Sequence, residues 1–176
     1  GEPTVQCKVT PTSANAPDLA ANARAMAGKG LIDPVSDVAS DRILTVSGAK
    51  DTLVPPVIAD QLSAFYAALG VPAASLSAVR LADAAHTMPT SDFGIACSKE
   101  TEPYIGKCGY DTAGQVLSWI YGPLKPPGSK PAGRFIEFDQ RAYIPADRSG
   151  WFNWLNGLDN TAWAYVPESC AKGETC

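Results

Sequence analysis

Basic residues are few in this sequence, and they are scattered. Fourteen Lys and Arg stand against eighteen Asp and Glu, which gives a net charge of −4 and a pI near 4.9. A nucleic-acid-binding protein needs a clustered basic surface, so we expect no nucleic-acid partner. Long apolar runs are missing too: none approaches the ~20 residues that a helix needs to cross a bilayer. We therefore expect no membrane span.

Motifs for metals and cofactors are also absent. The sequence contains no Cys-x-x-Cys pair and no cluster of Cys and His, which argues against a zinc site. It has neither a phosphate-binding glycine loop nor a dinucleotide-binding fingerprint. We expect neither a metal ion nor an organic cofactor.

The five cysteines form a pattern that is typical of disulfides. Cys97 and Cys108 would close a short polar loop, and Cys170 and Cys176 would close another. Structural disulfides indicate an oxidising compartment, so the pattern predicts a secreted protein. Cys7 is left over, and it is either a buried thiol or a link to a polypeptide outside this sequence.

The order of predicted elements indicates an α/β protein. "RILTVS" at 42–47 is typical of a buried strand, and Ser77–Leu81 is a second strand candidate. Between them, "PPVIADQLSAFYAALG" has apolar residues at helical spacing and ends at a glycine. Helices are also predicted from Asn15 to Gly30 and after Asp111. Alternating strands and helices favour a layered α/β sheet.

The composition of the sequence changes after Gly122. "GPLKPPGSKPAG" is a Pro/Gly-rich connector, and "RFIEFDQ" and "TAWAYVP" after it alternate like partly exposed strands. We divide the chain into residues 1–124, which carry the candidate acid and base, and residues 125–176. The second part is predicted to add a C-terminal β-hairpin to the same domain.

The single histidine, His86, lies in a loop of small residues, "RLADAAHTMPT". Asp51 directly follows the first strand, and His86 follows the second. The carboxyl ends of parallel strands meet at one sheet edge, where functional groups gather. A carboxylate that orients a histidine is the acid–base pair of a Ser-His-Asp triad. We therefore assign Asp51 and His86 as candidate catalytic residues.

Other carboxylates near the histidine are alternatives to Asp51. Asp83 and Asp92 flank His86, but Asp83 is so near in sequence that its side chain cannot easily fold back. Glu100 and Glu102 fall within the predicted Cys97–Cys108 loop, and we expect them to form a solvated rim.

A nucleophilic serine is missing. Triad enzymes of the α/β-hydrolase type carry it in a G-x-S-x-G turn, and neither Ser47 nor Ser149 has a glycine two positions before it.

Three segments resemble one family: "SGAKDTLVPPVIADQLSAFY", "AAHTMPTSDFGIACSKETEPYIGKCGYDTAGQVLSWIYGPL" and "GLDNTAWAYVPESC". They are similar to extracellular poly(3-hydroxybutyrate) depolymerases of the single-domain, circularly permuted type. The resemblance implies an α/β-hydrolase-like sheet that is incomplete here, with Asp51 as triad acid, His86 as triad histidine and Cys97 and Cys108 as a paired-cysteine loop.

The family's serine turn would precede Gly1. The resemblance thus implies that the nucleophile strand is missing from this chain, which is not competent alone. A companion polypeptide, tied through Cys7, would carry the serine.

Two groups of residues are candidates for substrate contact. Trp151, Phe152 and Trp154 would offer apolar area to a polyester surface, or they would pack beneath the C-terminal hairpin. Met88 follows the histidine closely and is expected in the wall of the site.

Two classes of function remain open. The first is a secreted serine esterase acting on poly(3-hydroxybutyrate), on its oligomers, or on another secreted ester such as a feruloyl or acetyl ester. The second is a non-catalytic remnant that binds a polyester or a carbohydrate.

Overall fold

A computed structural model describes residues 15–126, 132–143 and 159–174. The chain divides into two compact units, Gly1–Leu124 and Lys125–Cys176. None of the described helices is long and apolar enough to cross a membrane. Within the same residues, no group of His, Cys, Asp or Glu could hold a metal ion.

A parallel strand pair forms the centre of the first unit. Strand β1 (Ile43–Gly48) and strand β2 (Leu76–Leu81) pair in register from Ile43 opposite Leu76 to Gly48 opposite Leu81. The helix between them, α3 (Pro56–Leu69), begins at a proline and ends before Gly70, whose φ of 106° favours glycine. This is the strand–helix–strand order that the sequence predicts.

Two helices precede β1. Helix α1 (Ala16–Gly28) begins after Asn15, whose Oδ1 accepts a hydrogen bond from the Asp18 amide at 3.4 Å. This helix packs on α3, and its residues Ala16 and Ala20 are buried. Helix α2 (Val35–Val38) is a single turn that leads into β1.

Three short strands follow the histidine loop. They are β3 (Met88–Thr90), β4 (Ile95–Ala96) and β5 (Ile105–Lys107), and β5 pairs in parallel with both others. Helix α4 (Thr112–Tyr121) comes next, capped by Asp111, whose Oδ1 accepts a hydrogen bond from the Gly114 amide at 3.0 Å. Helix α4 is the helix predicted after Asp111. The three short strands were not predicted, because strands of two or three residues carry no readable periodicity.

Strand β1 is less buried than its sequence predicts. Residues 43–47 are only partly buried, and Gly48 alone is fully buried. Among the described residues β2 is the only strand that pairs with β1, so its other edge has no strand beside it there. A strand of this composition normally lies inside a sheet, between two neighbours.

The second unit contains an antiparallel strand pair. Strand β6 (Gly133–Asp139) pairs with β7 (Thr161–Pro167), with Phe135 opposite Tyr165, and a short helix α5 (Glu168–Ala171) follows. Trp151, Phe152 and Trp154 lie outside the described residues, as do Cys7 and Cys176, so the predictions for them remain predictions.

Candidate active site

The loops after β1 and β2 meet where the two parallel strands end. We call residues 49–54 the acid loop and residues 81–88, from the last residue of β2 to the first of β3, the histidine loop. Backbone hydrogen bonds join them: the Ala49 amide donates to the Leu81 carbonyl and the Lys50 amide donates to the Ala84 carbonyl, both at 2.9 Å. The parallel register therefore delivers Asp51 and His86 to the same edge.

Asp51 and His86 form a direct hydrogen bond. The distance from His86 Nδ1 to Asp51 Oδ2 is 2.9 Å, within the range for a strong contact. The other carboxylate oxygen, Oδ1, accepts from the amides of Leu53 at 3.0 Å and Val54 at 2.7 Å. Three donors thus hold the carboxylate, while the side chain is only 11% exposed.

The histidine remains accessible. Its side chain is 41% exposed, and no hydrogen bond within the described residues engages its second ring nitrogen, Nε2. A carboxylate is an acceptor only, so in the neutral ring Nδ1 is the nitrogen that carries the proton and Nε2 has the lone pair. This arrangement can accept a proton from a group placed beside Nε2.

A largely apolar cavity of about 430 Å³ adjoins the pair. Met88, which is half exposed, lies in its wall. The full lining is Val46, Ser47, Gly48, Asp51, Val54, Ile58, Ala59, Leu62, Ala85, His86, Thr87, Met88, Pro89 and Tyr104.

The alternative acid Asp83 has a different partner. Its Oδ1 accepts a hydrogen bond from Lys50 Nζ at 2.7 Å, and this ion pair lowers the pKa of Asp83. Asp51 therefore faces the imidazole ring and Asp83 faces the lysine.

The Cys97–Cys108 disulfide is present. It closes a segment of residues 97–108, the disulfide loop, which lies along the histidine loop: the Ala85 amide donates to the Cys97 carbonyl at 2.9 Å and the Met88 amide to the Tyr104 carbonyl at 2.7 Å. Cys170 is also disulfide-bonded, but Cys176 lies outside the described residues, so their pairing stays a prediction.

Glu100 is partly exposed at the rim of the site and makes contacts that the sequence did not predict. Its Oε1 accepts hydrogen bonds from the Thr52 amide at 2.6 Å and the His86 amide at 3.4 Å, and its Oε2 accepts from the Thr52 hydroxyl at 2.6 Å. These contacts, chiefly those with Thr52, lower the pKa of Glu100. Glu102, by contrast, is exposed.

Tyr104 is a second site residue that sequence reasoning missed. Its ring meets the His86 ring edge to face, with centroids 6.0 Å apart. Its φ of 56° is in the left-handed region, which a tyrosine rarely adopts. Non-glycine residues held in this conformation are concentrated at functional sites.

Two curated proteins are similar to this chain over most of its length. No family model matches the chain. A poly(3-hydroxybutyrate) depolymerase from Delftia acidovorans is 33% identical over 174 residues, which are 98% of this chain and 33% of that protein. A polyhydroxybutyrate depolymerase from Talaromyces funiculosus is 35% identical over 159 residues, 88% of this chain and 44% of that protein.

Two solved structures of PHB depolymerases are similar to this chain as well. The crystal structure of the PHB depolymerase from Penicillium funiculosum has a TM-score of 0.73 and 34% identity, covering 89% of this chain and 47% of that one. An alanine-for-serine variant of a PHB depolymerase, complexed with an R3HB trimer, matches equally well. The resemblance to poly(3-hydroxybutyrate) depolymerases found in the sequence is confirmed at that level: the chain is similar to them over most of its length, and it spans less than half of theirs.

Proposed function

We propose that this chain supplies the acid and the base of a serine esterase that hydrolyses poly(3-hydroxybutyrate) or its oligomers. The observation that carries the proposal is the Asp51–His86 hydrogen bond of 2.9 Å beside an open, largely apolar cavity. His86 is the base and Asp51 is the residue that orients it.

The chemistry follows from the two ring nitrogens of His86. Asp51 holds the Nδ1 proton, which leaves the Nε2 lone pair directed away from the carboxylate. As a serine hydroxyl attacks the ester carbonyl, Nε2 takes the hydroxyl proton, and Asp51 stabilises the resulting imidazolium. His86 then returns the proton to the departing alkoxide, and the acyl-serine is hydrolysed by the same route with water. No cofactor takes part in these steps.

The serine in this proposal comes from polypeptide outside the 176 residues. The sequence has no G-x-S-x-G turn, and among the described residues one edge of β1 has no neighbouring strand. A strand carrying the serine beside that edge would place the hydroxyl near the ends of β1 and β2. Cys7 remains our candidate for a covalent tie to a companion polypeptide.

The substrate class rests on the relatives and on the cavity. Two curated relatives are named for hydrolysis of this polyester, and one solved neighbour is complexed with an R3HB trimer. Aliphatic side chains such as Val54, Ile58 and Leu62 line the cavity, which suits a short aliphatic ester. The Cys97–Cys108 disulfide supports secretion into an oxidising compartment.

The test is covalent labelling of the purified native material with a fluorophosphonate, which reacts only with activated serines. Intact mass under reducing and non-reducing conditions, followed by peptide mapping, identifies the labelled residue. We expect a serine in a G-x-S-x-G segment outside this sequence. Labelling of Ser47 or Ser149 would contradict an external nucleophile.

Variants separate the triad from its surroundings. His86→Ala and Asp51→Asn should abolish labelling and hydrolysis of R-3-hydroxybutyrate oligomers. Asp83→Asn makes the same chemical change on an exposed aspartate near the pair and should leave both intact. A single unlabelled 18.4 kDa species that binds polyester without cleaving it would instead support the non-catalytic alternative. Preferential cleavage of feruloyl or acetyl esters would replace the substrate.

A further inference from the structure

Two sets of hydrogen bonds join the acid loop and the histidine loop. At the base, the backbone bonds from Ala49 and Lys50 fasten the start of the acid loop to the histidine loop. These bonds lie before Asp51. Beyond them, where the acid loop carries Asp51 and the histidine loop carries His86, one side chain from a third segment contacts both loops.

That side chain is Glu100 of the disulfide loop. One carboxylate contacts Thr52, the residue after the acid, through both its amide and its hydroxyl, and also the backbone amide of the histidine itself. Thr52 lies 48 positions from Glu100 and His86 lies 14 positions away. The carboxylate therefore bridges two loops that come from different strands.

The chemistry of the contact suits a positioning role. An ionised carboxylate makes shorter and stronger hydrogen bonds than a neutral acceptor, and both oxygens of Glu100 are used. Rotation of the Thr52 backbone would move Asp51, and rotation at the His86 amide would turn the imidazole ring. Small displacements of a catalytic group lower the rate strongly, because proton transfer needs tight geometry.

The Cys97–Cys108 disulfide closes the segment that carries Glu100. Glu100 is three residues from Cys97, whose carbonyl accepts the Ala85 amide just before the histidine. The disulfide loop therefore meets the histidine loop on both sides of the point where Glu100 binds.

We propose that Glu100 is a positioning residue that fixes the Asp51–His86 geometry by hydrogen bonding Thr52 and the backbone of His86. The role rests on the proposed triad for its effect on catalysis. Its structural part, the orientation of the His86 ring, does not depend on which serine reacts.

The test compares Glu100→Gln with Glu102→Gln, a matched change in the same loop on an exposed side chain. His86 is the only histidine in the 176 residues, so its ring ¹⁵N signals need no assignment. In Glu100→Gln we expect a smaller fraction of the Nδ1–H tautomer when the ring is neutral. In the serine-bearing protein we expect labelling slowed by about 10-fold, with the KM for oligomers unchanged. Glu102→Gln should match the wild type in both measurements.

Thr52→Val is the second variant, because it removes one hydroxyl donor and keeps the backbone. It should lower the fraction of the Nδ1–H tautomer of His86 by a smaller amount. If Glu100→Gln does not fold, this variant alone tests the proposal. An unchanged His86 tautomer in both variants would overturn the proposal. If His86→Ala still hydrolyses ester while the ring responds to Glu100, the triad is wrong and the positioning role stands.

Discussion

The carbonyl oxygen of Ala84 lies directly over Gly48. A Cβ atom added at Gly48 would come within 2.2 Å of that oxygen and within 2.7 Å of the Ala85 carbonyl oxygen. The histidine loop therefore crosses the end of β1 at backbone contact distance, and only glycine leaves room for it.

Gly48→Ala should force the two loops apart. We expect a loss of stability of about 1–3 kcal/mol, typical of overpacking at a tight site, together with loss of the Asp51–His86 hydrogen bond. Chemical denaturation measures the first effect, and the downfield Nδ1 proton of His86 reports the second. Gly28→Ala is the control, because no atom lies within 4 Å of the new Cβ. Equal stability of the two variants would contradict the contact.

Asp51→Asn should change the tautomer of His86. Free histidine favours the proton on Nε2, and here the carboxylate draws it to Nδ1. An asparagine can donate as well as accept, so we expect the Nε2–H form to gain population, with kcat reduced by about 10,000-fold as in related triads. Long-range ¹H–¹⁵N correlation resolves the two forms. Asp83→Asn should retain the Nδ1–H form; loss of this form in both variants would show that the effect is not specific to Asp51.

The Cys97–Cys108 bridge should contribute about 3 kcal/mol to stability, the value that chain entropy gives for a loop of this size. A Cys97→Ser, Cys108→Ser double variant removes it while leaving Cys170 in its own disulfide. Urea denaturation gives the difference. We also expect faster amide hydrogen exchange at Ala85 and Met88, which donate to the disulfide loop. Unaltered exchange at both would mean that the bridge does not brace the histidine loop.

Tyr104 should act on substrate binding. Tyr104→Phe keeps the ring against His86 and the cavity, so we expect KM for oligomers to stay the same. Tyr104→Gly removes the wall and should raise KM by about 10-fold, a loss of roughly 1.4 kcal/mol. Glycine also adopts the positive φ of residue 104 without the cost of about 1–2 kcal/mol that a non-glycine residue bears there. Steady-state kinetics measure the two KM values. If Tyr104 does not contact the substrate, the KM stays unchanged in both variants.

The bridge made by Glu100 should be sensitive to acid. Its pKa is lowered from the ordinary 4.5, chiefly by the hydrogen bonds from Thr52, so its contribution to stability is fully present above that unfolded value. That contribution is lost as the pH falls through the lower, folded value. The Thr52 amide shift, followed by NMR through this range, should titrate in the wild type and stay flat in Glu100→Gln. A titrating signal in the variant would point to another group.

The contact between Asp51 and His86 could be predicted because each residue lies within a few positions after an apolar strand. The helix between the strands has clear start and stop signals at Pro56 and Gly70, so the order of elements implied two parallel strands and one shared edge. The Asp51–His86 contact needed no further information.

Glu100 and Tyr104 could not be predicted in the same way. Their contacts depend on how the disulfide loop folds back. Its strand β5, and β4 just before it, are too short to leave a pattern in the sequence. A carboxylate between charged and polar neighbours, as in "SKETEP", also looks solvated by every local measure. Only the three-dimensional path of residues 97–108 brings it to Thr52.

Within the described ranges no strand pairs with the second edge of β1, which has a consequence for handling the protein. Strand edges with free amide and carbonyl groups pair readily with other strands, including those of a second copy. Ile43, Leu44 and Val46 make the strand apolar as well, and its nearest charged residues in sequence stand only at its ends, at 41–42 and 50–51. Concentrated samples of the isolated 176-residue chain are therefore expected to self-associate through β1, so dilute conditions suit its study better than concentrated stocks.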